Sequence, residues 1–373
     1  MIRVLHFLDS VGRGGAETQV LDVCRNAVRF GIEITLVTGG GGDLEAELRE
    51  SGVDFIRLNR RLPVDPHLVG QLRKIIREKE IQIVHGHQAV EGLHLYLATR
   101  GLKNVKTVLT FEGFVPGPKN RVTARFIAPL IDANIAVSES LLNYLKTSLK
   151  IWNFNNFQCL YNGVDTKRLV PTGRSLKEEL GLPSNAILAG MVGNFVPDPT
   201  KDQMTICKAL PEVIRKRPAL HFVFAGKVAA GAENYYSNCV NVCARTGIAE
   251  NVHFLGGRND VPDILAELDL FVFSSLQEGF PIALCEAMLA GVSMLVSDIE
   301  PLVEATANGK YAELFPVKNA ELLSKKMIQV LSGDLAPGKA ADAKQFAMDE
   351  FSIEAHLKRL DGLYRSMIKA GQS

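Results

Sequence analysis

The sequence "SLQEGFPIALCEAMLAG" at residues 275–291 follows a strand-like apolar run, "LDLFVFS". Gly279 permits a sharp turn, and Pro281 suits the first position of a helix, where a missing N–H costs nothing. The segment therefore predicts a strand, a tight turn and a helix whose first N–H groups, together with the helix dipole, form an anion site. Two carboxylates, Glu278 and Glu286, lie on either side of this helix start.

The two carboxylates restrict the kind of anion that suits this helix start. A carboxylate repels a neighbouring phosphate, so it assists binding only where it accepts hydrogen bonds from hydroxyl groups. A nucleotide diphosphate-sugar meets both conditions, because ribose and hexose hydroxyls flank its diphosphate. The alternative is that acidic residues near a helix start only interact favourably with its dipole.

Strand-like apolar runs alternate with amphipathic helical patterns along all 373 residues, and the pattern restarts after a Gly- and Pro-rich linker at residues 163–185. This alternation predicts an α/β fold with two Rossmann-like doubly wound domains, at residues 1–165 and 166–352. A C-terminal helix at residues 353–371 is expected to pack back on the first domain. Ligands of such sheets bind at the carboxyl ends of the strands.

The composition excludes several classes of protein. The net charge is +1 and no block is basic enough to indicate nucleic acid. His6 and Asp9 come too early for a signal peptide, and no run of about 18 apolar residues exists, so the sequence predicts a cytoplasmic protein. The six cysteines are expected to be free buried thiols, because the pair in "CVNVC" lacks a second pair of metal ligands.

Five ordered motifs resemble those of family 4 glycosyltransferases. The segment "SSLQEGFPIALCEAMLAGVSMLVSD" resembles the E-x7-E region of that family, and "VGNFVPDPTKDQ" resembles its phosphate loop. The other matching segments are "GGAETQVLDV", "IAVSESL" with "LYNGVD", and "VHFLGGRNDVPDILAELDLFVFSS". The resemblance implies a GT-B fold, in which two Rossmann-like domains face each other across a cleft. The first domain would bind the acceptor and the second the nucleotide sugar.

The resemblance also implies roles for individual residues. Glu286 would bind the ribose hydroxyls, Glu278 the transferred sugar, and Lys201 the diphosphate; the residues implied to act in catalysis are Glu278, Lys201 and Glu112. Gly14 and Gly15 would let the backbone approach the phosphates, unless they only form a turn that needs positive φ. The remaining donor-binding residues are Asn194, Arg258, Gly279, Phe280, Pro281, Ile282 and Ala283.

The chain departs from the family pattern at two positions. Asn194 stands where many relatives have an arginine, so one phosphate-binding cation is missing or supplied elsewhere. Glu112 stands where relatives often have a histidine; it could bind a sugar hydroxyl, act on the acceptor, or mark lost activity. His85 and His87 of "HGHQ" follow the fourth predicted strand, and alternation directs both to one side. With no third ligand evident, hydrogen bonding is favoured for them over a metal site.

The expected activity is that of a retaining glycosyltransferase. It would move a hexosyl unit from a nucleotide-diphosphate sugar to a glycan or lipid-linked acceptor in the synthesis of bacterial lipopolysaccharide, capsule or exopolysaccharide. No cofactor or metal ion is implied, since no D-x-D pattern occurs. The alternatives are a GT-B-fold sugar-nucleotide epimerase and a catalytically impaired nucleotide-sugar-binding protein. Basic residues in "RKIIREKE" and "KNRVTARFIAP" suggest peripheral contact with the inner membrane, or simply a solvated surface.

Overall fold

The computed structural model describes residues 1–12, 14–198, 200–333 and 339–370. The chain divides into two compact units, which are described separately below. The first unit is Met1–Asp165 together with the C-terminal segment that begins at Glu350, and the second unit is Thr166–Asp349.

The first unit contains a parallel sheet of seven described strands in the order β3-β2-β1-β4-β5-β6-β7. The strands are β1 (Ile2–Leu8), β2 (Ile32–Thr38), β3 (Asp54–Arg57), β4 (Ile83–Gly86), β5 (Lys106–Phe111), β6 (Ala133–Ala136) and β7 (Phe157–Cys159). The chain runs outward in one direction from β1 to β3 and in the other from β4 to β7. The topological switch point, where ligands of such sheets bind, is therefore between β1 and β4.

The second unit contains a parallel sheet of six described strands in the order β10-β9-β8-β11-β12-β13. The strands are β8 (Ile187–Val192), β9 (Leu220–Ala225), β10 (Val252–Gly256), β11 (Leu270–Phe273), β12 (Met294–Ser297) and β13 (Glu313–Phe315). Its switch point is between β8 and β11. Every described strand of both sheets lies in an apolar run that the sequence predicts as a strand, so the predicted α/β architecture is confirmed.

Helices connect the strands of both sheets. They are α1 (Gly15–Asn26), α2 (Glu45–Arg49), α3 (Pro66–Glu78), α4 (Ala89–Thr99), α5 (Gly117–Ile127), α6 (Glu139–Thr147), α7 (Leu176–Glu179), α8 (Gln203–Lys216), α9 (Glu233–Arg245), α10 (Val261–Glu267), α11 (Ile282–Ala290), α12 (Glu300–Ala305), α13 (Ala320–Leu331), α14 (Lys339–Phe351) and α15 (Ile353–Ala370). A short 3-10 helix (Thr166–Leu169) opens the second unit, within the segment predicted as a linker.

The last helix, α15, completes the core of the first unit. Its apolar face buries Ile353, Leu357, Leu360 and Tyr364 in the same core cluster as residues of β1, β2 and α1. Residue 371, the last of the predicted C-terminal helix, lies outside the described residues.

The chain returns to the first unit at Glu350, earlier than the predicted residue 353. Backbone pairing explains the difference, because the N–H of Val164 donates to the carbonyl of Phe351 (2.8 Å) and the N–H of Ile353 donates to the carbonyl of Val164 (2.9 Å). The end of α14 is thereby attached to the first unit before α15 begins.

Two further expectations concern the chain as a whole. No disulfide links the six cysteines, all of which the structure describes, and all except the half-buried Cys159 are buried. Among the described residues, no helix combines the length and the apolar character needed to cross a membrane.

Candidate active site

Two loops meet at the switch point of the second sheet. The N–H of Asp202, in the loop after β8, donates to the carbonyl of Ser274 at the end of β11 (2.9 Å). The N–H of Leu276 donates to the carbonyl of Thr200 (2.6 Å), and Lys201 pairs with Ser275 in an isolated antiparallel bridge. These bonds bring the predicted phosphate loop and the E-x7-E segment together, although they are far apart in the sequence.

Lys201 and Glu278 form an ion pair at this point. The Lys201 ammonium lies 2.5 Å from Oε1 of Glu278, and the Ser275 hydroxyl donates to the same oxygen at 2.6 Å. The Glu278 side chain is only 9% exposed, and these two partners compensate for the burial of its carboxylate. Its second oxygen, Oε2, accepts no hydrogen bond from the described residues, and it therefore remains available to a ligand hydroxyl.

Glu286 has a different cation. It lies in the second turn of α11 with a side chain 10% exposed, and its Oε1 is 2.6 Å from Nη2 of Arg168 in the 3-10 helix. Sequence reasoning assigned no role to Arg168. No sequence signal distinguishes it from the other basic residues of the linker, because only the tertiary packing places it on α11.

The start of α11 differs from the prediction in two respects. Pro281 caps the helix and Ile282 is its first residue. The N–H of Ile282 donates to the carbonyl of Phe280 (3.1 Å), and that of Leu284 donates to the carbonyl of Pro281 (3.0 Å). Two of the first N–H groups of the helix, which were predicted to form the anion site, are thus engaged by carbonyls of the tight turn after Gly279. The helix dipole still directs its positive end toward this turn.

Asn194 connects two loops of the second unit. Its Oδ1 accepts a hydrogen bond from the N–H of Lys227 after β9 (2.9 Å), and its carbonyl accepts one from Nε2 of Gln203 (3.2 Å). Next to it, a Cβ on Gly226 would lie 2.1 Å from the carbonyl oxygen of Gly193, so this approach requires glycine. The exposed Asn194 amide nitrogen donates no hydrogen bond to the described residues, so it can still donate to a phosphate.

Arg258 is committed to two carboxylates. Its guanidinium donates to both oxygens of Glu179 (2.6 and 2.8 Å) and to both oxygens of Asp260 (2.8 and 2.6 Å). These hydrogen bonds hold the pKa of Arg258 above its ordinary value, and those to Glu179 have the largest effect. The guanidinium therefore joins α7 to the turn before α10, and its donors are used within the protein.

Three histidines meet at the switch point of the first sheet. His6 in β1 and His85 in β4 are register partners, and His87 follows two residues later on the same side. All three side chains are buried, with the rings of His85 and His87 stacked at 4.8 Å and 9°. The sequence identified His85 and His87, whereas His6 was missed because only the strand register brings it beside them.

The histidines extend into a hydrogen-bonded network around Glu112. Nδ1 of His87 donates to Oε1 of Glu112 (3.0 Å), and Nδ2 of Asn162 donates to Oε2 (3.0 Å). With its proton on Nδ1, a neutral His87 accepts at Nε2 from Nδ1 of His6 (3.0 Å). Glu112 is thus a buried carboxylate held by two donors at the end of β5.

The network continues to the C-terminal helix. Nδ1 of His85 is 2.6 Å from the Tyr364 hydroxyl, and Nε2 of His85 is 2.7 Å from the Thr110 hydroxyl. The Tyr364 hydroxyl also lies 3.4 Å from Nε2 of His6. Burial lowers the pKa of His6 and of His85 well below the ordinary value, so both imidazoles are neutral at pH 7.

The three imidazoles are also candidates for holding a metal ion, since their nitrogen atoms lie within 4.8 Å of one another. A tetrahedral zinc ion needs each nitrogen at about 2.0–2.1 Å, with the lone pairs converging on it. The stacked rings of His85 and His87 direct their lone pairs along parallel planes, and both nitrogens of His85 already have hydroxyl partners. The geometry fits a hydrogen-bonded network better than a metal centre.

Glu91 is a second buried carboxylate at the same switch point, which sequence reasoning also missed. It accepts hydrogen bonds from the N–H groups of Asp9 (2.8 Å) and His87 (2.6 Å). Burial raises its pKa to about 7, against the effect of His87 and of these hydrogen bonds. Its position just after "HGHQ" in the sequence was the available signal.

Gly14 and Gly15 lie at the start of α1. Gly14 caps the helix with an extended backbone (φ −124°), and Gly15 is the first helical residue. The alternative that Gly14 serves a turn needing positive φ is therefore wrong. The nearest group to a Cβ on Gly14 would be the Glu17 carboxylate, at 2.6 Å from Oε2, and burial raises the pKa of that carboxyl.

Comparisons with known proteins agree with this arrangement. The model described as "Glycosyltransferase Family 4" matches residues 13–168, and the model described as "Glycosyl transferases group 1" matches residues 174–348. The two matches together span nearly the whole chain, and they meet close to the division between the two units.

Two curated relatives are informative. An Escherichia coli UDP-Gal:alpha-D-GlcNAc-diphosphoundecaprenol alpha-1,3-galactosyltransferase is 24% identical over 351 residues, which covers 87% of this chain and 86% of the relative. A Campylobacter jejuni N,N'-diacetylbacillosaminyl-diphospho-undecaprenol alpha-1,3-N-acetylgalactosaminyltransferase is 37% identical over 122 residues, 31% of this chain and 32% of the relative.

A solved structure agrees on the fold. The Anabaena protein HepE in complex with UDP matches 98% of this chain and 100% of its own with a TM-score of 0.85, at 18% sequence identity. With the matched family models, the five motifs and two parallel sheets of Rossmann type, the chain belongs to the family 4 glycosyltransferases and has their GT-B fold.

Proposed function

We propose that this glycosyltransferase is a retaining enzyme that moves a hexosyl unit from a nucleotide-diphosphate sugar to a lipid-linked or glycan acceptor during synthesis of a bacterial cell-surface polysaccharide. The observation that carries the proposal is the pair formed by Lys201 and the buried Glu278 beside the start of α11. It places a cation, a hydroxyl acceptor and the positive end of a helix at one switch point.

Binding of the donor would give Lys201 and Glu278 new partners in place of each other. A diphosphate offers the Lys201 ammonium a second anion, and the hexose hydroxyls offer Glu278 new donors in place of the ammonium. Glu286 would accept hydrogen bonds from the ribose hydroxyls, and Asn194 would donate to a phosphate through its amide nitrogen. The backbone from Gly279 to Ala283 would line the sugar pocket.

The transfer step balances without an enzymatic nucleophile. The bond between the anomeric carbon and the diphosphate oxygen breaks, and its electron pair goes to the diphosphate. The acceptor oxygen then bonds to the anomeric carbon on the same face, and its proton passes to a phosphate oxygen of the donor. Lys201 and the α11 dipole stabilise the charge that develops on the diphosphate, so we propose that transfer requires neither a cofactor nor a metal ion.

The first unit would bind the acceptor. Its switch point presents neutral imidazoles and the carboxylate of Glu112, which Asn162 and His87 hold in place. Such groups suit the hydroxyls of an acceptor sugar. The curated relatives from Escherichia coli and Campylobacter jejuni act on sugars linked to a lipid diphosphate, which supports an acceptor of this class for the present chain.

The proposal is tested first on the donor. UDP-, GDP- and ADP-sugars are added to the wild type and to a Glu286→Ala variant, and the melting temperature is measured. A ligand present at about 100 times its dissociation constant stabilises the folded protein by about 2.7 kcal/mol. We expect one nucleotide sugar to raise the melting temperature of the wild type and to have little effect on the variant.

The donor so identified is then incubated with and without a prenyl-diphosphate-linked N-acetylglucosamine acceptor, and the products are analysed by mass spectrometry and NMR. A glycosylated acceptor with the anomeric configuration of the donor supports the proposal. An altered sugar nucleotide formed without acceptor would identify an epimerase instead. Binding with no product in either case would identify a binding protein, the reading that Asn194 and Glu112 favour.

We also infer that α5 contacts anionic lipid at the cytoplasmic face of the inner membrane. Its outward surface carries Val122 and Phe126, which are 54% and 69% exposed, among Lys119, Arg121 and Arg125, and the helix contains no acidic residue. Exposed apolar side chains between basic ones are typical of interfacial helices.

Flotation with phosphatidylglycerol–phosphatidylcholine vesicles tests this contact. We expect the wild type to float and Phe126→Ser to float less, whereas Val28→Ser, a change at another exposed apolar position of the first unit (62% exposed), leaves flotation unchanged. A wild type that stays wholly in the soluble fraction would contradict the membrane contact and leave the donor site unaffected.

A further inference from the structure

The two carboxylates of the E-x7-E segment have cations of different kinds. Glu278 pairs with the ammonium of Lys201, which is a flexible point charge. Glu286 pairs with the guanidinium of Arg168 through an ion contact at one nitrogen, Nη2. Arg168 lies in the 3-10 helix that follows directly after the first unit ends at Asp165.

Burial limits the alternative partners open to the pair formed by Glu286 and Arg168. The side chains of Glu286 and Arg168 are 10% and 23% exposed, so the carboxylate has little water to replace a lost counter-charge. The backbone of Glu286 is also held in place, because the neighbouring residues in α11, Cys285 and Ala287, are fully buried. The helix sets the position of Glu286, and the ion pair with Arg168 restricts the rotation of its carboxylate.

The contact with Arg168 also determines which oxygen of the Glu286 carboxylate remains available to a ligand. Nη2 of Arg168 meets Oε1 at 2.6 Å, and no hydrogen bond or ion pair from the described residues reaches Oε2 of Glu286. A carboxylate that has one oxygen in contact with a guanidinium presents the other oxygen to a ligand as a charged acceptor. Hydrogen bonds from hydroxyls to such an acceptor are stronger than those between neutral groups.

We propose that Arg168 is a positioning residue that keeps the Glu286 carboxylate oriented for a vicinal diol, and that it thereby makes the site select ribonucleotides over 2′-deoxyribonucleotides. The inference rests on the proposed donor site and adds to it a residue and a selectivity. Without Arg168, the carboxylate is able to rotate, and the 2′-hydroxyl loses the advantage of a preorganised acceptor.

The selectivity is measured by calorimetric titration of the full chain. The probes are UDP, GDP and ADP, each beside its 2′-deoxy form, and the proteins are the wild type, Arg168→Met, Arg168→Lys and Glu286→Gln. We expect the wild type to bind one ribonucleotide about tenfold more tightly than its 2′-deoxy form, as the loss of a hydrogen bond to a charged group predicts. In Arg168→Met and Glu286→Gln this ratio should fall close to one.

A matched control distinguishes the proposed positioning role of Arg168 from the general effect of its positive charge. Lys167→Met removes one positive charge from the same turn, and it should weaken both forms of the nucleotide equally while the ratio of their affinities stays at the wild-type value. Arg168→Lys keeps the charge without the planar fork, so it should retain only part of the ratio. Melting temperatures verify that each variant is folded.

The outcomes distinguish this inference from the proposed function. If no diphosphate binds the wild type, the donor site itself is wrong, and the inference falls with it. If the wild type discriminates and a folded Arg168→Met or Arg168→Lys variant keeps the full ratio, only the role of Arg168 is overturned. If Arg168→Met weakens binding of the ribonucleotide and of its 2′-deoxy form equally, Arg168 contributes only its positive charge.

Discussion

The two sheets have nearly the same topology, yet their switch points carry opposite kinds of polar group. The first presents hydrogen-bonded imidazoles around Glu112, and burial keeps His6 and His85 neutral. The second presents carboxylates that are paired with the cations Lys201 and Arg168. One scaffold therefore supports two chemistries, which reside in the loops and strand ends rather than in the fold.

This difference has a functional meaning. A neutral network of donors and acceptors suits a ligand recognised by its hydroxyls, and ion pairs suit a ligand that brings its own charge. The two regions should consequently respond to different perturbations. Removal of a cation should affect the second unit most, and a change of pH should affect the first unit most.

The largest effect is expected from Lys201→Ala. The change removes the cation that we assign to the leaving diphosphate, and loss of one such stabilising group lowers kcat by roughly 10²–10³-fold. Transfer to the lipid-linked acceptor is measured at saturating donor. Lys208→Ala, a change at an exposed lysine of the following helix α8, serves as the control and should retain the wild-type rate.

A rate for Lys201→Ala within tenfold of the wild type would contradict this role. In that case the helix dipole, Asn194 or another group would have to stabilise the diphosphate. Lys201→Arg adds a second comparison, since it keeps the charge and should recover part of the rate.

The next effect concerns the pH dependence of the first unit. His356 in α15 donates from Nδ1 to the carbonyl of Tyr161 (2.8 Å), and burial lowers its pKa to about 4. In the unfolded chain its pKa returns to about 6.5. The unfolded state thus binds the proton more tightly, so this group leaves stability unchanged above pH 6.5 and reduces it as the pH falls toward 4.

Urea unfolding of the wild type and His356→Asn at pH 7.5 and pH 5 tests this expectation. Asparagine keeps a donor for the Tyr161 carbonyl and cannot titrate. Between the two pH values the wild type should lose about 2 kcal/mol of unfolding free energy relative to the variant. Glu91 changes in the opposite sense, because its raised pKa favours the folded state at low pH, but it is common to both proteins and cancels. An equal pH dependence of the two proteins would show that His356 is protonated in the folded state.

The smallest effect is expected from Arg258→Met. This residue carries a charge in the second unit but has all its partners within the protein, Glu179 and Asp260. Loss of its hydrogen bonds should lower the unfolding free energy by about 1–3 kcal/mol, measured by urea unfolding. A tenfold loss of nucleotide affinity with unchanged stability would restore the predicted role of Arg258 in donor binding. It would also contradict the distinction between ion pairs that serve the site and ion pairs that only stabilise the fold.

The sequence was sufficient for the architecture and for part of the site. Apolar runs such as "LDLFVFS" and "IRVLHFL" have no alternative to a buried parallel strand, so their positions could be read directly. Lys201 and Glu278 were identified because they lie within ordered motifs. The structure then supplied their contact, which the sequence separation of 77 residues hides.

The missed residues share one physical cause. His6 is placed beside His85 by strand register, and Tyr364 reaches the same network from a helix 279 residues later in the chain. Arg168 acquires its role only when α11 packs on the linker. The local sequence pattern predicts the helix or strand to which a residue belongs. Contacts between distant elements depend on tertiary packing and strand register, which cannot be read from any one segment of the sequence.

The position of α15 has a consequence for the order in which the protein is made. A ribosome releases the residues of the first sheet early, yet the core around that sheet lacks Leu357, Leu360 and Tyr364 until the whole second unit has been synthesised. Domains commonly fold in the order of their synthesis. Here the second unit can reach its native state on the nascent chain, while the first must wait with an open apolar face, and it is this earlier half that would need the protection of a chaperone.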